Sequence, residues 1–387
     1  MAREYPCEVH LFAQQVADLN VRTPHEPNPG KPNSGKPNSL EPNSAATARV
    51  IWHPVAGSSG PHILQFVVWF FRNRRARQEL VRRSAVPFDL VLSPGINCSD
   101  ADVIIVHALF HRLRELSANS PAPAGILRNL HRGIYYRLLT WLETKMYRNP
   151  RTSLAAVSPR TKADLARYFQ RHDVSVIPNA VDTAVFSVES RLARRAEMRR
   201  HYNFAEGDLV LLLIGNDWTV KGLPTLLEAI ALRPQLPLRL LVVGSDAVAP
   251  FRKLAATVQL ADRCRWELPS PDVLRFYAAA DVYASPSLED SFGMPVAEAM
   301  ACGLPAITST LAGVSALVDN NVNAYVLPDP RDAQVLAALL NTIYANTALR
   351  QEVGSAAARK AREWTWDIAA AQVWQLLNAA MARKSAR

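Results

Sequence analysis

Four ionisable side chains in this sequence sit where the surrounding pattern gives them ligand-holding or reactive work: Asp290, Glu298, Lys221 and His107. Asp290 and Glu298 lie eight positions apart in a strand, loop, helix, strand stretch. Asp281-Val-Tyr-Ala284 reads as a short buried strand. Val296, Ala299 and Met300 read as one face of a helix stopped by Gly303 and Pro305, and Ala306-Ile-Thr308 reads as strand again. Phe292, Gly293 and Met294 fall where that helix is about to begin. A helix start presents unpaired backbone N–H groups and a partial positive charge, so it receives phosphate or polar oxygen well. A carboxylate on either side can accept hydrogen bonds from sugar hydroxyls, which are donors available in pairs.

Lys221 stands in a second unit of the same kind. Leu211 to Ile214 is strand, Gly215-Asn216-Asp217 is loop, and a helix spanning Lys221 to Leu232 follows. An ammonium at a helix start opposes the helix dipole unless an anion docks there, and the anion this placement implies is a diphosphate. Gly244-Ser245 closes the strand Leu240 to Val243 with a tight turn at the same edge. With Pro269-Ser-Pro271 after the next strand, it is expected to line a nucleotide base. His107 ends the apolar run Val103 to Val106, and ligands collect at the carboxyl edge of an open α/β sheet. His107 and His111 have a metal-like spacing, but no third ligand accompanies them. Asp100-Ala-Asp102 precedes a strand, where acids commonly serve turns, and is read as structural.

The segment Ser285 to Thr308 resembles the donor site of retaining, nucleotide-sugar-dependent glycosyltransferases of family 4, also called group 1, which have the GT-B fold. That family carries two acids separated by seven residues, running on into a Glu-Ala-Met-Ala-Cys-Gly-x-Pro sequence. Here Glu298-Ala-Met-Ala-Cys-Gly-Leu-Pro305 matches that second half, and the first acid is Asp290, or Glu289 if the register slips by one. Val174-Ser-Val-Ile-Pro-Asn-Ala-Val-Asp182 resembles the family segment leading into the interdomain linker, with Ala180 where glycine is usual. The resemblance covers about residues 85 to 385. It implies that Glu298 binds ribose hydroxyls and that Asp290 with the amides of Phe292 to Met294 holds the sugar. Lys221, with Gly215 and Asn216, would take the diphosphate, Gly244 would help line the base, and His107 would face the transferred sugar. The family's phosphate-binding Arg is missing: Asn216 or Val220 stands in its place, and the amides of Asn216 and Asp217 are the substitutes the segment offers.

What the resemblance implies is therefore an α/β chain of two doubly wound Rossmann-like domains facing across a cleft. An acceptor-side domain would span residues 1–185 and a nucleotide-sugar donor domain residues 186–365. A crossover helix over 366–387, preceded by the aromatic cluster Trp364-Thr-Trp366, would return to the first domain. The reaction would move a hexose from a UDP- or GDP-sugar to a glycan, lipid or small-molecule acceptor with retention, without a cofactor or metal. Two alternatives remain open, a degenerate sugar- or nucleotide-binding protein and a nucleotide-sugar epimerase on the same architecture. In the family a first strand and a glycine-rich turn come before the strand that Cys7 to Ala13 resembles; that first strand is missing here, from truncation or loss of the sheet edge.

Composition agrees with two cores. The chain has 387 residues, 49% of them apolar, and its longest apolar run, Ile63 to Phe71, is interrupted by Gln65 and less than half of what a membrane-spanning helix needs. The start lacks the apolar core of a signal peptide. The four cysteines are far apart and read as reduced thiols, so a cytoplasmic setting is expected. Residues 22–48 repeat Lys-Pro-Asn-Ser and Glu-Pro-Asn-Ser, and a disordered insertion is expected there. The net charge of +10 belongs to the first half, where residues 1–185 carry 23 Lys and Arg against 14 Asp and Glu. Its densest cluster, Arg72 to Arg83, follows the aromatic run Phe66 to Phe71. Such a segment suits either the basic end of a core helix or peripheral contact with the anionic inner face of a membrane. No nucleic-acid module accompanies the charge, so nucleic acid is not an expected partner.

Overall fold

The structure, a computed structural model, describes residues 5, 7–14, 49–118 and 126–386. The repeat at 22–48 lies outside the described residues. In chain order the elements are β1 (Glu8–Ala13), β2 (Arg49–Pro54), α1 (His62–Ser84), β3 (Leu92–Pro94), β4 (Val103–Val106), α2 (Phe110–Ala118), α3 (Ile126–Tyr147), β5 (Ser153–Ala156), α4 (Pro159–Phe169), β6 (Ser175–Val176) and α5 (Val188–His201). They continue as β7 (Leu209–Ile214), α6 (Leu223–Ala231), β8 (Leu238–Val243), α7 (Val248–Thr257), β9 (Cys264–Glu267), α8 (Leu274–Ala279), β10 (Val282–Ala284), α9 (Met294–Ala301), β11 (Ala306–Ser309), β12 (Tyr325–Leu327), α10 (Ala333–Ala345), α11 (Thr347–Ala361) and α12 (Trp366–Ser385). The strands order as β1-β2, as β3-β4-β5-β6 and as β12-β11-β10-β7-β8-β9.

The chain divides into two compact units. The first takes the residues up to Ile104, Phe110–Ser153 and those from Trp374 on; the second takes Ile105–Leu109 and Leu154–Val373.

In the second unit the six-stranded sheet is parallel throughout. Continuous apolar strands are what a parallel sheet covered on both faces requires. Alternate residues of β7 enter two different cores. Leu209, Leu211 and Leu213 pack with residues of α6 and α10. Val210 and Leu212 pack with residues of α8 and α9. The β8 residues alternate in the same way, Leu238, Leu240 and Val242 to one side, Leu241 and Val243 to the other. Every strand of this sheet therefore ends at one carboxyl edge, where the connecting loops gather.

In the first unit β1 and β2 pair in parallel from Glu8 with Arg49 to Ala13 with Pro54. The run Phe88-Asp-Leu-Val-Leu92 has the apolar character of a covered parallel strand, but the strand formed here is Leu92–Pro94. Val91 N–H donates to the Asp102 carboxylate at 2.8 Å, and Val91 carbonyl accepts from the N–H groups of Asp102 and Val103. Phe88 packs edge-on against Phe12 at 5.9 Å. Near the end of α12, Arg383 donates to Ser153 Oγ at 2.7 Å and Lys384 reaches Asp102 at 3.2 Å.

All four cysteines are free thiols, Cys98 and Cys302 buried, Cys7 and Cys264 half-buried. Burial pushes Cys264 and Cys302 up to about 12. No helix among the described residues is long and apolar enough to cross a membrane.

Candidate functional site

The loop after β7 is built by its neighbours. Gly215 N–H donates to Val243 carbonyl at 3.0 Å. Asn216 Oδ1 accepts Ser245 N–H at 2.9 Å, and the two oxygens of Asp246 accept the N–H groups of Asp217 and Trp218 at 2.9 and 2.6 Å. These bonds tie the loop to the turn at Gly244 through Asp246. Trp218 is fully buried, its ring 5.3 Å from Phe251 and 5.5 Å from Trp266, and anchors the loop from below.

The helix expected from Lys221 begins two residues later, at Leu223, because Gly222 takes a left-handed φ of 80° as its N-cap. Lys221 is thus a loop residue and not a first-turn lysine. A Cβ on Gly222 would run into the carbonyl oxygen of Pro286, so only glycine lets the two loops meet here. They are joined by Leu288 N–H to Val220 carbonyl at 2.7 Å and by Ser285 Oγ to Lys221 carbonyl at 3.1 Å.

That junction brings Lys221 Nζ to 2.5 Å from Asp290 Oδ2, with each side chain only 17% exposed. Lys221 passes directly over Gly215, its Cε 3.0 Å from where a Cβ would stand. Glu289, the other register considered, faces Arg160 at 3.0 Å instead. Asp290 is the acid beside the ammonium. Its main chain is fixed too, accepting from Gly313 N–H at 2.8 Å and donating to Leu311 carbonyl at 3.2 Å.

The two sets of candidate amides are only partly open. Phe292 N–H donates to Asp290 Oδ1 at 3.2 Å, and Asp217 N–H is taken by Asp246. The N–H groups of Gly293 and Met294, at the start of α9, have no acceptor among the described residues. Gly293 caps this helix at a φ of 103°, and Pro295 follows within its first turn. Two backbone donors therefore point out of a helix start whose flanking acid is already ion-paired.

Glu298 lies in α9, and its Oε2 accepts a hydrogen bond from Tyr277 Oη at 2.6 Å. Burial raises the Glu298 carboxyl above the ordinary carboxylate value, and the Tyr277 bond partly offsets this. Burial, with the Glu298 charge beside it, lifts the Tyr277 phenol well above its usual value. Tyr283, fully buried between these loops, is pushed up mainly by burial, and the charges of both Asp290 and Glu298 add to the shift. Both acids thus act on one phenol. Tyr277, Asp246 and Ser285 were not among the residues singled out from sequence. The signal for Tyr277 was a phenol inside an otherwise apolar helical run, Phe276 to Ala280, which needs a polar partner when buried.

His107 lies just past β4, exposed by area, and makes no hydrogen bond or ion pair among the described residues. Partial shielding from solvent holds its imidazole below the usual value. His111 turns elsewhere: its Nδ1 is 2.7 Å from Glu143, a fully buried carboxylate that also accepts the N–H groups of Phe110 and His111. Asp100 is held by Arg77 through two bonds of 2.7 and 2.8 Å, and Asp102 by Val91 and Lys384, as turn acids would be.

The carboxyl edge of this sheet thus gathers an ammonium, an acid and open helix-start amides, with a second acid in α9. Residues 194–360 match the family model described as glycosyl transferases group 1, and this segment belongs to that family. The chain is 30% identical over 249 residues to D-inositol 3-phosphate glycosyltransferase of Xylanimonas cellulosilytica, covering 61% of this chain and 58% of that relative. It thus spans somewhat over half the length of that relative. Among solved structures it is similar in fold to WaaG, a glycosyltransferase involved in lipopolysaccharide biosynthesis (TM-score 0.67, 20% identity, 86% of each chain). It is also similar to Anabaena Alr3699/HepE in complex with UDP-glucose (TM-score 0.60, 20% identity, 82% of this chain and 77% of that one). The fold is GT-B.

Proposed function

We propose that the protein transfers a hexose from a nucleotide diphosphate sugar, with UDP or GDP as the leaving group, to an acceptor hydroxyl with retention at the anomeric carbon. The observation that carries this reading is the Lys221–Asp290 pair of 2.5 Å beside the open amides of Gly293 and Met294. In the absence of donor, Asp290 neutralises the ammonium. A docked diphosphate would take over Lys221, leaving Asp290 free to accept from sugar hydroxyls. Glu298, oriented by Tyr277, would grip the ribose, and Gly215, Asn216 and Gly244 would line the nucleotide. The complex of HepE with UDP-glucose supports the donor class, and the name of the inositol phosphate relative supports glycosyl transfer.

In the step itself the acceptor oxygen bonds to the anomeric carbon as its bond to the diphosphate oxygen breaks. The acceptor proton passes to the departing phosphate oxygen on the same face. Charge grows on the diphosphate during this step, so Lys221 and the helix-start amides stabilise the transition state more than the bound donor. This reading assigns the diphosphate charge to those donors and no metal or cofactor to the step. His107 would face the transferred sugar. The acceptor is a glycan, a lipid or a small molecule, the setting is cytoplasmic, and peripheral contact of the basic first half with an anionic membrane face belongs to the same proposal.

The test is transfer by Glu298→Ala with UDP- and GDP-hexoses, preceded by a thermal-shift screen of the nucleotides, since a specific ligand raises stability by mass action. Near wild-type turnover in Glu298→Ala refutes the assignment. One observation favours a second reading, a binding protein that does not turn over. Of Asn216 and Val220, the two candidates for the family's Arg position, Asn216 spends its carbonyl oxygen on Ser245 N–H, and neither supplies a charge. Donor hydrolysis or transfer by the purified chain discards that reading; nucleotide binding without either supports it.

A further inference from the structure

The cations of the first unit fall into two kinds. Four of the six arginines of α1 have acceptors in the fold, while Arg74 and Arg75 are exposed with no acceptor among the described residues. Arg72 donates to the carbonyls of Ala56 and Gly57 at 3.0 and 2.6 Å, Arg77 is buried against Asp100, and Arg82 and Arg83 lie 3.6 and 2.8 Å from Glu79. The cluster that sequence reading marked as basic is mostly the end of a packed helix. Arg114 of α2 and Arg137 of α3 are of the second kind: both are exposed, and no carboxylate or carbonyl among the described residues accepts from either.

They line one groove of about 680 Å³ between α2 and α3, together with Ile134, Leu138 and Trp141. On α3 the spacing of Ile134, Arg137, Leu138, Trp141 and Lys145 places them along one face. That face exposes apolar area, with Ile134 at 52% and Trp141 at 56%. Lys145 Nζ lies 5.3 Å from the Trp141 ring centroid, adding a third cation beside the indole. Glu143, fully buried, spends its oxygens on His111, which also lines the groove, and on two backbone donors. An indole among exposed aliphatic side chains, ringed by unpaired cations, has the make-up of a surface that settles at the headgroup level of a bilayer.

We infer that the α2–α3 groove docks on an anionic lipid surface, with Arg114, Arg137 and Lys145 on headgroup phosphates and Trp141 and Ile134 at the acyl boundary. This deepens the membrane part of the proposed function and is independent of the sugar donor. The experiment is sedimentation of the full chain with phosphatidylcholine vesicles, with and without phosphatidylglycerol. Binding is expected only with phosphatidylglycerol, weakening as salt rises. Reversing two cations in Arg114→Glu/Arg137→Glu is expected to lower partitioning on the order of 10²-fold or more, from about fivefold per basic residue. Brominated acyl chains should quench a tryptophan component present in the wild type and absent in Trp141→Phe. Equal partitioning of wild type and double variant, or no vesicle binding at all, overturns the inference. If Arg74→Glu/Arg75→Glu abolishes binding while the groove variant keeps it, the membrane reading stands through α1 and the groove falls. Stabilisation by inorganic phosphate without vesicle binding also counts against it. Unchanged melting of each variant shows that the fold is intact.

Discussion

The loops of the second unit and the α2–α3 groove of the first both concentrate positive charge, but by opposite means. Lys221 is held by an acid at 2.5 Å, over a loop whose main chain is bonded on both sides, with 17% of its side chain exposed. Arg114 and Arg137 stand on helix surfaces, exposed and without acceptors among the described residues. A preorganised, partly dry site strengthens each electrostatic contact and loses little on reordering, which suits discrimination and catalysis. Exposed cations are screened and mobile, which suits a diffuse anionic surface. The sharpest tests ask whether substitutions in the first kind of site act on chemistry and in the second only on location.

The largest effect is expected at Lys221. Lys221→Ala should reduce transfer by about 10²–10³-fold, the range found when a preorganised oxyanion donor is removed, without altering vesicle binding. Comparable loss of both activities would break the contrast between the regions. Glu298→Gln separates function from fold. Burial raises the Glu298 carboxyl, so its contribution to stability is present in full below the ordinary carboxylate value and is lost as pH rises through the raised one. The variant should therefore melt higher than wild type at neutral pH, with the gap closing in acid, while transfer falls. A variant that melts lower at neutral pH would show that the charge is already compensated in the free protein.

A smaller, graded effect belongs to Tyr277, which acts through Glu298. Tyr277→Phe removes the 2.6 Å bond that favours the carboxylate over the acid. A hydrogen bond to a charged group is worth about 1.5–3 kcal/mol, so donor affinity should fall roughly 10- to 100-fold, appearing in KM more than in kcat. The acid limb of donor binding should also move to higher pH, because the remaining cause of the shift, burial, raises the pKa. An unmoved limb, with affinity lost, would reduce Tyr277 to a packing role.

Legibility from sequence follows the same division. The acids, Lys221 and the helix-start glycine lie on two contiguous stretches, where chain connectivity already places a loop between a strand end and a helix, so their types and spacing carried the site. The choice of Asp290 over Glu289 needed Arg160, which reaches Glu289 from 129 positions away. The apolar run Phe88 to Leu92 is bonded through Val91 to Asp102 and packed through Phe88 on Phe12, both distant in sequence, and forms strand only at Leu92. Tyr277 was hidden because a buried phenol declares itself only through its partner. The α1 arginines looked alike as letters, and only their acceptors at Ala56, Gly57, Glu79 and Asp100 set Arg72, Arg77, Arg82 and Arg83 apart from Arg114 and Arg137.

The smallest effects test whether tight packing at the second unit's loops is what makes them a site. Gly222→Ala forces a Cβ toward the Pro286 carbonyl at a left-handed φ, and should cost roughly 1–3 kcal/mol with a lower melting temperature and weaker nucleotide stabilisation. Gly133, in the exposed middle of α3, has no atom within 4 Å of an added Cβ and no unusual φ. Gly133→Ala should stabilise α3 by about 0.5–1 kcal/mol, because alanine loses less conformational freedom on entering a helix. Differential scanning calorimetry of the two variants separates the cases, since the same substitution is expected to have opposite signs. A loss of stability in Gly133→Ala would mean that α3 is not free on that side, and a groove open to a membrane would then lose its structural basis.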